Sequence, residues 1–275
     1  MVSLEELFLM YYRNMKKRYV IGLVFVALMV SLFYLKKENN TRALFSWKSE
    51  VISEETDELI AFMNDNEFNT LYQKFDLGDV ESIRAFGNKT DIQLYHLCGG
   101  PDWDLDRLKE EIMAVYKLNQ DITTNIKGLV VDIEPYLKAD WDKNKKKIMS
   151  AYIDDMIEAN EYAAKLGLEY FLCIPYWYEA GYVDSLVKDG CDGLVVMNYY
   201  KGKELEHLSD EMESCFRYNK ELVTVFEMQE AGVHELTENN TYHDEGLETV
   251  RKVYEGIYER YTRIGLAVHY YDVLK

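Results

Sequence analysis

Gly128-Leu129-Val130-Val131-Asp132-Ile133-Glu134-Pro135-Tyr136 decides the fold: an apolar run of strand length that ends in two acids and a proline. Side chains alternate across a strand with period two, so Val130, Asp132 and Glu134 share one face while Val131 and Ile133 share the other. Two carboxylates on one face of a buried strand are costly unless they are paired, hydrogen-bonded or put to use. The residues on either side of this stretch favour use.

Similar strand-like runs recur at Ala43–Trp47, Phe68–Phe75, Asp91–Gly99, Glu169–Tyr176, Gly193–Tyr200, Glu221–Met228 and Arg263–Tyr271. Segments of helical period separate them, at Glu54–Asn66, Val80–Asn88, Leu105–Leu118, Lys143–Leu166, Tyr182–Lys188, Leu205–Tyr218 and Glu245–Arg260. Eight strands alternating with seven helices predict an α/β chain folded as a (β/α)8 TIM barrel, closed by its eighth strand, over residues 43–275. An open doubly wound sheet would place a glycine-rich phosphate turn after the first strand, and Ala43–Glu55 holds no glycine.

Ahead of the barrel lies Tyr19–Leu35, an uncharged apolar run long enough to cross a bilayer as one helix. Arg13, Lys16, Lys17 and Arg18 precede it and Lys36 and Lys37 follow, which predicts a cytoplasmic N-terminus over residues 1–18 and an extracytoplasmic C-terminal domain. No small-x-small cleavage site follows the run, so an uncleaved signal anchor at 19–35 and a linker at 36–42 are expected. The chain holds 31 basic and 49 acidic residues; six and three of these fall within residues 1–40, leaving 25 and 46 and a net charge near −21 beyond it. Nucleic acid is therefore not an expected partner of the barrel. Cys98, Cys173, Cys191 and Cys215 have no metal spacing and form no evident disulfide framework.

A barrel carries its site at the C-terminal ends of its strands. Those ends supply Trp47, His96, Asp132, Glu134, Tyr136, Trp177, Asn198, Tyr199, Glu227, Gln229, His269, Tyr270 and Tyr271, and every one of the four Trp lies at a strand end or in the loop after it. Aromatic planes set among carboxylates and amides suit a sugar, whose C–H faces stack and whose hydroxyls need polar partners. Asp102, Asp104 and Asp106 alternate without the glycine or closing Glu of a calcium loop, so they read as a helix cap; no metal and no cofactor is expected.

The arrangement resembles glycoside hydrolase family 18, the chitinases and endo-β-N-acetylglucosaminidases. Gly99-Gly100 matches the family's Gly-Gly after the third strand. Asp132-Ile133-Glu134 matches the last two acids of its Asp-x-Asp-x-Glu pattern, and Met197-Asn198-Tyr199 matches its Met-x-Tyr on the sixth strand. Lys127 and Val130 stand where the family has its earlier acids, and His269, Tyr270 or Tyr271 replaces the tryptophan usual at the end of the eighth strand. The resemblance implies a polysaccharide or oligosaccharide substrate with β-linked N-acetylhexosamine. In that scheme Glu134 is the general acid, its proton retained by desolvation and by the neighbouring charge of Asp132. Asp132 would orient the substrate's own 2-acetamido group as nucleophile, and Tyr199 would donate to the acetamido carbonyl. Trp47, Trp177 and Tyr271 are expected sugar platforms, with His96, Asn198 and Glu227 as further substrate contacts.

Two other readings stay open. A retaining glycosidase would use Glu134 as acid/base and Glu227 as nucleophile, although Ile133 stands where such enzymes carry Asn before the Glu-Pro pair. A non-catalytic carbohydrate-binding barrel is the other, suggested by Val130. A pure scaffold would pair the strand-end acids with Lys or Arg, and only Lys138 lies close enough in sequence to reach them.

Overall fold

In the computed structural model, which describes residues 40–121 and 126–275, the decisive stretch is a barrel strand. Strands β1 (Arg42–Ser46), β2 (Thr70–Gln73), β3 (Gln93–Cys98), β4 (Ile126–Val131), β5 (Glu169–Pro175), β6 (Gly193–Met197), β7 (Glu221–Glu227) and β8 (Ile264–His269) run parallel in chain order. The barrel closes where β1 pairs with β8, Leu44 lying beside Val268. All eight expected strands are present in the expected order. The expected span Tyr19–Leu35 lies outside the described residues; among those described, no helix is long and apolar enough to cross a membrane.

Helices α1 (Val51–Glu54), α2 (Thr56–Asp65), α3 (Val80–Gly87), α4 (Leu105–Asp121), α5 (Trp141–Lys165), α6 (Ala180–Ser185), α7 (Ser209–Tyr218) and α8 (Leu247–Arg260) fill the crossovers. In α4 the buried positions Leu108, Ile112, Val115 and Leu118 follow the helical period and form the face laid on the strands. Each such fully buried side chain contributes about 1.5–3 kcal/mol. Asp104 caps this helix by accepting from the Arg107 N–H at 3.0 Å, as its place in the acidic loop suggested. The stretch expected as one helix from Tyr182 to Lys188 begins earlier at Ala180 and passes into a wider turn over Leu186–Gly190.

The period of two sorts the strand residues into two cores. Leu129, Val131 and Ile133 point outward to the helices, while Val130 points into the barrel with Phe45, Leu97 and Phe171. Gly128 is demanded by packing: a Cβ there would lie 1.9 Å from the Glu169 carbonyl oxygen on β5. The β4 ladder stops at Val131, earlier than the expected end at Pro135. Pro135 has no N–H to extend the ladder, and a 3-10 turn over Pro135–Leu137 takes the chain away. Asp132 keeps one last bond, its N–H donating to the Cys98 carbonyl at 2.8 Å.

Candidate active site

Because Asp132 and Glu134 keep the inward phase of Val130 just past the end of the ladder, both enter the open end of the barrel. They line a cleft of about 960 Å³ together with Trp47, Trp177, Tyr199 and Glu227. Six of the nine residues expected in the site are thus brought together in one hollow of ligand size.

The remaining three are not. His96 lies on the outward phase of β3, stacked on Phe75 and placed with its Nε2 3.3 Å from the Glu111 carboxylate on α4. Asn198 also points outward, its side-chain amide donating to the Glu204 carbonyl at 2.8 Å and to Thr224 Oγ1 at 3.3 Å. Tyr271 is buried in a 3-10 turn against Phe62 of α2, ring centroids 5.5 Å apart, so it cannot serve as a sugar platform. Strand phase accounts for the first two. Tyr95 and Leu97 of β3, and Val195, Met197 and Tyr199 of the β6 run, face inward, so the residues between them face out.

The site rests on a close backbone contact. Gly99, at φ +140°, lets the loop after β3 pass directly over Asp132; a Cβ there would come within 2.1 Å of the Asp132 carbonyl oxygen. Gly99→Ala is expected to destabilise the protein by about 2 kcal/mol or more. That corresponds to a fall of roughly 4–8 °C in Tm for a domain of this size, measurable by calorimetry. An unchanged Tm would mean that the loop does not pack on Asp132.

Asp132 has one carboxylate oxygen, Oδ1, buried without a hydrogen-bond partner. Burial, and then the charge of Glu134, push its carboxyl up to about 7. His269, and to a smaller extent Cys173 of β5 on the same inner face, act in the opposite direction. Glu134 accepts a hydrogen bond from the Tyr136 hydroxyl through Oε1. The Tyr136 ring packs edge-on against Trp177, centroids 5.0 Å apart, which places an indole at the rim beside the acid; Trp177 is 45% exposed. Burial, reinforced by Glu227, raises Tyr199 well above the usual phenol range, so its hydroxyl keeps the proton it needs to donate. Among the described residues no Lys or Arg pairs with Asp132, Glu134 or Glu227; Lys138 instead acts on Asp155 of α5.

Glu227 is held on every side. Its Oε1 accepts from the N–H groups of Met228 at 2.9 Å and Gln229 at 2.8 Å, and its Oε2 lies 2.8 Å from His269 Nδ1 and 3.3 Å from Gln229 Nε2. The Trp47 indole N–H donates to His269 Nε2 at 3.0 Å. An indole N–H can only donate, so the neutral imidazole carries its proton on Nδ1, facing Glu227. Trp47, His269 and Glu227 therefore form a tie across the ends of β1, β8 and β7. The sequence assigns substrate contacts to Trp47 and Glu227 and places His269 at the end of the eighth strand without a role; the inward phase His269 shares with Ala267 was the available signal for one. The spacing of Cys173, which fits no metal site or disulfide framework, gave no sign that it lines the cleft. The loop after β7, which brings His234, Glu235, Leu236 and Asn240 to the cleft, had no periodic signature.

No family model and no curated relative matches this chain. Solved structures share its architecture. The spore cortex-lytic enzyme SleL of Bacillus megaterium QM B1551 is 12% identical, with TM-score 0.55 over 86% of this chain and 71% of that one. The family 18 chitinase ChiB from the chitin utilization locus of Flavobacterium johnsoniae is 10% identical, with TM-score 0.51 over 84% and 87%. A phosphonopyruvate hydrolase complexed with oxalate and magnesium is 9% identical, with TM-score 0.50 over 87% and 78%. At such identities the likeness is one of fold, and the spread of chemistries among these barrels leaves function to be argued from the cleft itself. The fold is the (β/α)8 barrel also found in family 18 chitinases, to which this chain is distantly similar.

Proposed function

We propose that this barrel is a glycoside hydrolase that cleaves a glycan containing β-linked N-acetylhexosamine, using the substrate's own acetamido group as nucleophile. The observation that carries the reading is the buried Asp132 Oδ1, an acceptor without a donor in a cleft shared with Glu134 and Tyr199. A 2-acetamido group supplies what that arrangement needs: an N–H for Asp132 and a carbonyl for the Tyr199 hydroxyl. With the N–H bonded to it, Asp132 ionises more readily, and the proton it retained becomes available to Glu134. Glu134 then protonates the glycosidic oxygen while the acetamido oxygen attacks the anomeric carbon, and water opens the resulting ring. Trp47 and Trp177 offer sugar-stacking faces at the two sides.

The saturated hydrogen bonding of Glu227 argues against its being a protein nucleophile, since attack would break bonds to two backbone N–H groups and to His269. Glu227 instead orients His269 and, through it, Trp47. The apolar run Tyr19–Leu35 supports a tethered enzyme whose barrel faces outward.

Incubating the protein with labelled N-acetylhexosamine oligomers tests the proposal. Cleavage with retained anomeric configuration and inhibition by a thiazoline analogue of the acetamido intermediate is the expected result. Trapping of a glycosyl ester on Glu227 would select the retaining alternative, and tight binding without turnover would leave a carbohydrate-binding barrel.

A further inference from the structure

The charge of the cleft is one-sided. Asp132, Glu134, Glu227 and the exposed Glu235 line it, and among the described residues no lysine or arginine does. Lysines near the cleft serve other acids: Lys48 pairs with Asp272 at 3.1 Å, Lys145 in the first turns of α5 with Glu179 at 2.6 Å, and Lys201 with Glu245, while the charge of Lys138 acts on Asp155. Two imidazoles remain. His269 is occupied by Trp47 and Glu227, and His234 stands exposed on the outer loop.

A carboxylate or phosphate on a substrate would meet no lysine or arginine among the described residues that line the cleft, and it would approach the unpartnered Asp132 oxygen and the Glu235 side chain against like charge. The net charge near −21 beyond residue 40 extends the same repulsion to approach from solution. An ammonium group meets the opposite field. Hydroxyl and acetamido groups are served by the carboxylate, phenol and aromatic surfaces already in place.

We infer that the cleft selects uncharged or amine-bearing glycans, such as fully or partly N-acetylated hexosamine chains, and turns away glycans whose sugars carry carboxylate or phosphate. This rests on the glycan reading above and adds a substrate class to it. Glu235 is the specificity-determining side chain, because it faces the cleft from a loop and lies outside the group of residues assigned to the chemistry.

Binding to the full chain carrying Glu134→Gln, which removes turnover, provides the test. Three hexasaccharides are compared by calorimetry at pH 8: fully N-acetylated, partly de-N-acetylated, and one with a lactyl ether carboxylate on alternate sugars. In low salt the carboxylated chain is expected to bind about tenfold more weakly than the acetylated one, with the gap closing as salt screens the charges. The amine-bearing chain is expected to bind at least as tightly as the acetylated one and to weaken with salt. Glu235→Lys should narrow the gap between the carboxylated and the acetylated chain, read as the ratio of their affinities in the same variant. Equal or tighter binding of the carboxylated chain, or a gap that ignores both salt and Glu235→Lys, would overturn the inference while leaving the glycosidase reading intact. Binding of none of the three would remove both.

Discussion

Replacing Glu134 by Gln is expected to lower kcat/KM on an N-acetylhexosamine oligomer by about 10²–10⁴-fold, the range for loss of a positioned general acid. The change keeps the size of the side chain and its bond from Tyr136, so substrate affinity should hold. A loss confined to kcat is the signature of an interaction made only in the transition state. The pH profile supplies a second readout. Below about 7 the Asp132–Glu134 pair retains one proton, because burial and the Glu134 charge raise Asp132. Above that value the proton is lost, no acid remains for the leaving group, and kcat/KM should fall with rising pH. Undiminished cleavage by the Gln variant, or a rate that rises through pH 7–9, would remove Glu134 as the acid.

The second large effect lies away from the cleft, on α7. Glu211 is 1% exposed and neither of its carboxylate oxygens has a partner. Burial pushes its carboxyl up to about 8, only partly offset by the nearness of its own backbone N–H. A carboxyl raised in the folded state adds stability that is fully present below its ordinary value near 4.5 and is lost as pH rises through about 8. Glu211→Gln cannot ionise. It should therefore match the parent near pH 4 and exceed it at pH 9 by on the order of 3–5 kcal/mol. This corresponds to a gain of roughly 6–20 °C in Tm for a domain of this size. Thermal melts of both proteins at the two pH values decide the matter; an equal Tm difference at pH 4 and pH 9 would show that Glu211 is not an ionised buried acid in the parent.

The two predictions sit differently with respect to the sequence. Asp132 and Glu134 stand out there because acids that continue the inward phase of a buried strand have few structural uses. Glu211 does not, since an acid in the first turn of an amphipathic helix normally serves the helix dipole at the surface. Only the packing of α7 on the barrel shows that its side chain is enclosed. The same contrast separates the six site residues that meet in the cleft from the three that do not. His96 and Asn198 stand at strand ends, and their outward phase becomes plain once the inner core residues on either side are known. Tyr271 has the inward phase of His269, but a 3-10 turn carries its ring under α2.

What the chain determines by itself is periodicity. Alternation with period two and period 3.6, repeated eight times, specifies the parallel barrel and the face on which Asp132 and Glu134 emerge, because these patterns are local and each element must bury its apolar face. What only the tertiary structure decided are contacts between residues far apart in the chain. Trp47 reaches His269 across 222 positions and His269 reaches Glu227 across 42. Gly99 passes over Asp132, and the neighbouring lysines are spent on other acids. These depend on barrel closure and loop path, and on which side chains compete for each partner. No local pattern of residues encodes such terms.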